Sequence, residues 1–199
     1  MNSPLKRAGA IFGVMAIVAA AVFGVAVTAP SASVGQETKP HLLLTLKDGT
    51  VDIELLPEVA PLHIERIVAL TNEGAYDNVL FHRVIDGFMA QTGDVQFGKE
   101  GGPEFNPAYA GMGGSALPNV KAEFNATSFT RGVVGAARTN DPDTFNSQWF
   151  ICFNDCTFLD GQYTVFGKVV SGMEFVDNIT RGEPPTNPDK IISAKIEQK

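Results

Sequence analysis

The stretch FHRVIDGFMAQTGD, residues 81–94, places Arg83 between two phenylalanines in a segment that otherwise has the pattern of a buried strand. A guanidinium keeps its charge and is seldom buried without a partner. Arg83 therefore either extends to the rim of a sheet or serves a pocket with apolar walls. In such a pocket its N–H groups could stabilise a reacting atom on which an electron pair becomes localised.

Other catalytic patterns are missing from the sequence. There is no Gly-x-Ser-x-Gly or His-Glu-x-x-His motif. His41, His63 and His82 are scattered over a predicted linker end, helix and strand, so they would make a poor metal site. The glycine-rich stretch 98–118 lacks the Gly-Lys-Ser/Thr of a phosphate-binding loop and is predicted to be a long surface loop. We therefore predict neither a metal ion nor a cofactor.

Aromatic and amide side chains accompany Arg83. An apolar pocket with a few convergent polar groups is typical of small-molecule and peptide sites, whereas apolar periodicity alone would assign the aromatic residues to the core. Both interpretations are open at this point for Phe81, Phe88, Met89, Gln91, Gln148, Trp149, Phe150, Phe158 and Tyr163.

The composition limits the kind of protein. The chain has 199 residues, 44% hydrophobic and 19% charged, which fits one globular domain with appendages. Its formal net charge is −7, with 22 acidic and 15 basic residues. Because a nucleic-acid-binding surface needs clustered lysine and arginine, nucleic acid is not an expected partner.

The first 33 residues have the pattern of an export signal. Lys6 and Arg7 precede the uncharged residues 8–27, and the small residues of TAPSAS follow. A cleaved signal peptide is favoured over an uncleaved anchor formed by residues 8–27, which are just long enough to span a bilayer. Either way we predict a folded part exported to the periplasm, with membrane contact only through this segment. Without Lys6 and Arg7 its net charge is −9.

The chain has two cysteines, Cys152 and Cys156. An exported pair could form a disulfide, but a spacing of three residues is neither the redox Cys-x-x-Cys motif nor half of a zinc site. Because Cys152 lies in the apolar run WFICF, a buried thiol that packs as a small hydrophobic group is favoured.

The elements that must position these residues are mainly short strands. Residues 34–40 are predicted to be a linker, followed by one domain over residues 41–199. Strands are predicted on both sides of the Asp48-Gly49 and Asp86-Gly87 turns and at 132–137, 147–153, 164–170 and 190–197. Helices are predicted from Pro61 to the residues before Gly74, and over 173–180. This order indicates an all-β barrel or sandwich with helical caps.

Three separated segments carry the motifs of a known family. FHRVIDGFMAQTGD resembles an F-H-R strand followed by G-F-M-x-Q-x-G-D. RGVVGAAR and NSQWFI resemble G-x-x-x-M-A and N-S-Q-F-F-I, and FLDGQYTVFGKVVSGMEFVDNI resembles an L-D-G-x-x-x-V-F-G-x-V segment with its closing helix. These are motifs of the cyclophilins, which are peptidyl-prolyl cis-trans isomerases, and the resemblance spans about residues 41–197. It implies a closed eight-stranded antiparallel β-barrel capped by two α-helices.

The resemblance also implies roles for individual residues. Arg83 corresponds to the catalytic arginine and His82 to a supporting position beside it. The residues implied to bind proline-containing polypeptides are Phe88, Met89, Gln91, Ala137, Arg138, Gln148, Phe150, Phe158, Leu159 and Tyr163. No metal or cofactor is implied, and a monomer is expected.

Three of these positions depart from the usual family pattern. Phe158 stands where many members have tryptophan, Tyr163 where they have histidine, and Arg138 where asparagine is common. The tryptophan supplies much of the family's contact with cyclosporin, so we expect weak binding of that drug. Both aromatic replacements keep an aromatic wall, so isomerase activity is expected to survive.

Two other function classes remain to be compared with the isomerase. A non-catalytic chaperone module that only binds proline peptides would not need Arg83. A lipocalin-like carrier would share a barrel but would not explain the three motifs.

Strict geometry conflicts with the implied site at one hairpin. A two-residue turn at Asp86-Gly87 would pair Arg83 with Ala90, and would place Met89 and Gln91 on the face opposite to Arg83. Since the resemblance gathers these residues at one site, we expect strong twist or a bulge in this hairpin.

Overall fold

The computed structural model describes residues 38–199, so the predicted signal peptide or anchor and most of the predicted linker lie outside the described residues. The strands are β1 (Pro40–Thr45), β2 (Thr50–Leu55), β3 (Val79–Leu80), β4 (Arg83–Ile85), β5 (Met89–Thr92), β6 (Val133–Ala136), β7 (Trp149–Cys152), β8 (Val165–Ser171), β9 (Lys190–Ile191) and β10 (Ser193–Gln198). The helices are α1 (Pro61–Asn72) and α2 (Met173–Asp177), and single 3-10 turns occupy Pro142–Thr144 and Thr157–Leu159.

Eight of the strands form one antiparallel sheet in the order β10-β1-β2-β8-β6-β7-β5-β4. The two edge strands of this sheet are β4 and β10. Shortly before each of them in the chain lies a two-residue strand, β3 before β4 and β9 before β10, and these two short strands pair with each other. This short ladder brings the two edge strands of the sheet near each other. The predicted all-β, cyclophilin-like fold with two helices is confirmed.

The two faces of the sheet bury different clusters because side chains alternate along each strand. On β7, Trp149 and Ile151 point into the barrel core, where Trp149 is fully buried. Phe150 and Cys152 point outward into a smaller group, the outer cluster. Its buried members are Met89, Phe129, Val133, Phe150, Cys152, Cys156, Leu159 and Val165.

Helix α1 closes one side of the barrel core. Pro61 occupies its first turn, where the missing N–H costs nothing, and Ile64, Ile67 and Leu70 face the core. After the helix, Gly74 adopts a φ of +66°, which ends it where the sequence predicts.

Three predicted boundaries are wrong. Pro40, assigned to the linker, begins β1, and the backbone of Lys39 already pairs with that of Lys199 through N–H···O bonds of 2.8 and 3.1 Å. The last predicted strand is divided at Ile192 because residues 190–191 pair with β3, whereas 193–198 pair with β1. Helix α2 stops at Asp177. Beyond it, Thr180 donates its N–H to the Asp189 carboxylate.

Among residues 38–199 no helix is long and apolar enough to cross a bilayer. In the same range, no three His, Cys, Asp or Glu side chains are grouped so that they could hold a metal ion.

The two cysteine thiols are buried in the outer cluster and are not joined. Burial raises the pKa of both the Cys152 and the Cys156 thiol. Since the thiolate is the reactive form, alkylation requires local opening, and we expect it to be at least about 100-fold slower in the folded protein than in denaturant. Thiol titration of the reduced full-length chain with and without guanidinium checks this. Rapid modification of the native protein would contradict it.

Candidate active site

The hairpin of β4 and β5 has a three-residue turn. Arg83 pairs with Gln91 and Ile85 with Met89, while Asp86, Gly87 and Phe88 form the turn. Gly87 adopts a φ of +70°, and the turn is closed by the Phe88 N–H, which donates to the Ile85 carbonyl over 3.1 Å.

The register expected for a two-residue turn is therefore wrong by one residue. The observed register puts Arg83, Met89 and Gln91 on the same outer face. The extra residue, Phe88, acts as the expected bulge would, because it moves Met89 and Gln91 onto the face of Arg83.

Strands β7 and β6 continue the row of outward side chains. Gln91 pairs with Phe150, and Phe150 pairs with Gly135 on β6. A Cβ at Gly135 would lie 2.6 Å from the Phe150 ring and 2.5 Å from that of Phe129, so only glycine leaves room for these rings. The two rings stack at 5.8 Å between centroids. Phe150 forms the apolar floor beside Arg83, and the fully buried Phe129 supports its ring.

A cavity of about 300 Å³ lies over this floor, and we call it the main cavity. It is lined by Arg83, Phe88, Met89, Gln91, Ala137, Arg138, Phe150, Phe158, Leu159 and Tyr163. The structure thus gathers every substrate-binding residue that the sequence implies, except Gln148, around Arg83. Gln148 lies just outside, where its side-chain oxygen accepts a hydrogen bond of 3.0 Å from the Gln91 amide.

Hydrogen bonds fix the polar groups of the main cavity. The Gln148 amide donates to the carbonyls of Gly111 and Gly113 over 3.0 and 2.8 Å. Because Gln148 also accepts from Gln91, it connects Gln91 to the loop that contains these two glycines. Nε of Arg83 donates to the carboxylate of Glu183, which is 100 residues away in sequence. This contact leaves the two terminal nitrogens of Arg83 for a ligand.

His82 lies beneath the site and does not line the main cavity. Its ring is buried, neither ring nitrogen has a hydrogen-bond partner, and burial lowers the pKa of His82, so the ring is neutral at neutral pH. A Cβ at Gly111 would lie 2.8 Å from the ring, so His82 packs closely under the loop that carries Gly111. This placement favours the supporting position that the resemblance implies.

The comparisons with known proteins agree with this geometry. The family model described as "Cyclophilin type peptidyl-prolyl cis-trans isomerase/CLD" matches residues 41–196, which is nearly the whole described part. The chain belongs to the cyclophilin-type peptidyl-prolyl cis-trans isomerases.

Relatives of this cyclophilin include a probable peptidyl-prolyl cis-trans isomerase of Brucella suis, 49% identical over 92% of this chain and 95% of the relative. Peptidyl-prolyl cis-trans isomerase A of Dickeya dadantii is 36% identical over 92% and 98%. Among solved structures, a cyclophilin from Hirschia baltica is 28% identical, with a TM-score of 0.66 over 77% of this chain and 72% of that one. A Cryptosporidium parvum cyclophilin-type isomerase crystallised in the presence of the dipeptide Ala-Pro is 25% identical, with a TM-score of 0.68 over 80% and 99%.

Beside the main cavity, this cyclophilin has a smaller one of about 150 Å³, which we call the side cavity. Its lining residues are Gln91, Gly111, Gly113, Ala137, Arg138, Thr144, Asn146, Ser147 and Gln148. Five of these were not predicted: Gly111 and Gly113 lie in the glycine-rich stretch that was expected to be only a surface loop, and Thr144, Asn146 and Ser147 were given no role. Asp94, which ends the first motif, holds two of these residues in place by accepting the N–H groups of Gly111 and Gly113.

The aromatic departures from the family pattern keep the wall of the main cavity. Phe158 is 63% exposed and packs at a tilt on Phe88, with 5.3 Å between ring centroids. Tyr163 meets the edge of Phe150 at 6.1 Å and carries the Arg138 guanidinium on its face at 4.2 Å. Glu183 was also missed, since no local sequence signal connects it to Arg83.

Proposed function

We propose that Arg83 catalyses the isomerisation of X-Pro bonds by stabilising the twisted amide, while the main cavity holds the proline ring. The observation that carries this proposal is the convergence of the Arg83 guanidinium and the Gln91 amide on a cavity that Phe88, Met89, Phe150, Phe158 and Leu159 line with apolar side chains. Such a cavity fits a small apolar ring whose neighbouring atoms need hydrogen bonds.

The reaction explains why this set of groups suffices. The barrier to rotation, about 18–20 kcal/mol, arises from resonance that gives the C–N bond partial double-bond character. Twisting localises an electron pair on the prolyl nitrogen, and no covalent bond is broken. A terminal N–H of Arg83 that bonds this nitrogen more strongly in the twisted than in the planar state lowers the barrier. Gln91 restrains the carbonyl of the preceding residue, so neither a nucleophile nor a metal is required.

Proline-containing polypeptides are the substrates that this site supports. The relative crystallised with Ala-Pro supports a peptide ligand with proline. The basic and apolar residues 6–27 support an exported protein, so we propose unfolded or assembling periplasmic polypeptides as substrates and a monomer as the working form.

The test is an isomerisation assay of the full-length chain on a proline tetrapeptide, beside a titration of binding to the same peptide by NMR. We expect cis-trans exchange that accelerates in proportion to enzyme concentration. Binding without acceleration would replace this proposal with the non-catalytic recognition module. If neither is observed, the main cavity does not serve proline peptides.

Cyclosporin should inhibit this cyclophilin weakly. Phe158 fills the position of the usual tryptophan but has no indole N–H to donate, and it is largely exposed. Phe158→Trp restores a donor worth about 0.5–1.5 kcal/mol, so inhibition should become about two- to tenfold tighter. Phe158→Leu, which also lacks a donor, is the control, and the inhibition constants of the three proteins are compared. Equal inhibition of the wild type and Phe158→Trp would contradict the expectation.

A further inference from the structure

Arg138 lies two residues beyond the end of β6 and lines both the main and the side cavity. Its Nε and Nη2 donate to the Gln162 carbonyl over 3.2 and 2.9 Å, and Nη1 donates to the Thr139 carbonyl over 2.9 Å. One face of the guanidinium is stacked on Tyr163. Three of its five N–H donors are thus used, and two remain for a ligand.

The charge of Arg138 is not neutralised by the protein. Arg83 is paired with Glu183, but no ion pair includes Arg138 among the described residues. Neither cavity has a carboxylate in its lining. The carboxylates of the adjacent loop are engaged elsewhere, since Asp141 accepts the N–H of Asp143, and Asp143 accepts that of Ala122. A fixed positive charge therefore faces the groove of a protein that is acidic overall.

The inference rests on the proposed function, because that function decides which part of a bound substrate passes the charge of Arg138. With the proline ring in the main cavity and the preceding carbonyl at Gln91, the chain before the proline leads away from the ring. Gln91, Ala137 and Arg138 line both cavities, so this path runs past Arg138 towards the side cavity.

We propose that Arg138 determines specificity by selecting substrates with aspartate or glutamate in the two positions that precede the proline. A carboxylate can accept the two remaining N–H donors. Because three hydrogen bonds and the stacking on Tyr163 already hold the guanidinium, little side-chain entropy is lost on binding.

The test uses the full-length chain and peptides with blocked ends: Glu-Ala-Pro-Phe against Gln-Ala-Pro-Phe, and Ala-Glu-Pro-Phe against Ala-Gln-Pro-Phe. For at least one pair, kcat/KM should be about two- to fivefold higher for the Glu peptide, as expected for a partly exposed charge pair. The preference should shrink from low salt to 1 M salt, where the screening length is about 3 Å.

The readout is the Glu/Gln ratio within each enzyme, so a general change in activity cancels. Arg138→Gln should bring the ratio to about one, and Arg138→Lys, which keeps the charge, should retain part of it. Lys168→Gln removes the same charge from the exposed face of β8 and should keep the wild-type ratio.

A wild-type Glu/Gln ratio near one for both peptide pairs, or a preference for Glu that survives in Arg138→Gln, would overturn the specificity role of Arg138. Either result would leave the proposed function intact. A wild type that isomerises none of the four peptides would instead overturn the proposed function, and this inference with it.

Discussion

Arg83→Ala is expected to lower kcat/KM for a proline tetrapeptide by about 10²–10³-fold, the usual cost of removing one preorganised donor to a developing electron pair. The fold should not suffer, because the side chain is 37% exposed and its contact with Glu183 is a surface ion pair. Such pairs contribute about 0–1 kcal/mol, so the free energy of unfolding should change by no more than that. Isomerisation kinetics and urea unfolding of the same preparation measure both quantities.

Two further variants separate the guanidinium from simple charge. Arg83→Lys keeps the charge but loses the planar, multiple-donor group, so it should recover only part of the lost activity. Arg131→Ala breaks another arginine–carboxylate pair, that with Asp177, away from both cavities and should leave kcat/KM unchanged. A well-folded Arg83→Ala protein with more than about a third of wild-type activity would refute the assignment of Arg83.

Asp94→Ala is expected to lower the free energy of unfolding by about 3–5 kcal/mol, because a hydrogen bond to a charged group contributes about 1.5–3 kcal/mol and four such bonds are lost together, in part replaced by water. Asp94 is fully buried, and its carboxylate accepts four backbone N–H groups at 2.7–3.1 Å. Two belong to Gln96 and Phe97, and two to Gly111 and Gly113. Truncation removes the shared acceptor of these four partly buried donors.

Urea unfolding measures this loss, and an exposed aspartate provides the control. Asp143 accepts one backbone N–H, that of Ala122, so Asp143→Ala should cost no more than about 1 kcal/mol. Asp94→Asn keeps one oxygen but turns an amide NH₂ towards two N–H donors. Its decrease in the free energy of unfolding should therefore lie between those of Asp94→Ala and Asp143→Ala. If Asp94→Ala and Asp143→Ala were equally stable, the carboxylate would not organise the loop.

The composition of the main cavity could be predicted from the sequence because its residues lie in three long motifs. The strands could be predicted because apolar runs are bounded by turns such as Asp48-Gly49. The hairpin register could not, since Asp86-Gly87 fits a two-residue turn equally well and the turn also takes in Phe88. That one residue decides whether Met89 and Gln91 share a face with Arg83.

The surroundings of the site depend on contacts between distant parts of the chain. Glu183 reaches Arg83 across 100 residues, and Asp94 holds a loop 17–19 residues further along. Neither contact leaves a periodic or local pattern that sequence reasoning could use. The same holds for Arg138, because its missing counter-ion becomes visible only when the loops from Thr139 to Asn146 and from Gly111 to Gly113 are in place.

The antiparallel backbone pairing of Lys39 with Lys199 makes this domain a good subject for circular permutation. A two-residue turn could join residue 199 to residue 39, since the two already stand opposite each other in register. New ends could be opened in the turn at Gly101, which is exposed. In such a permutant the β1–β10 contacts, which are the most distant in sequence, would become those of a local hairpin. The relative contact order would fall, and folding should be faster although the native contacts are the same.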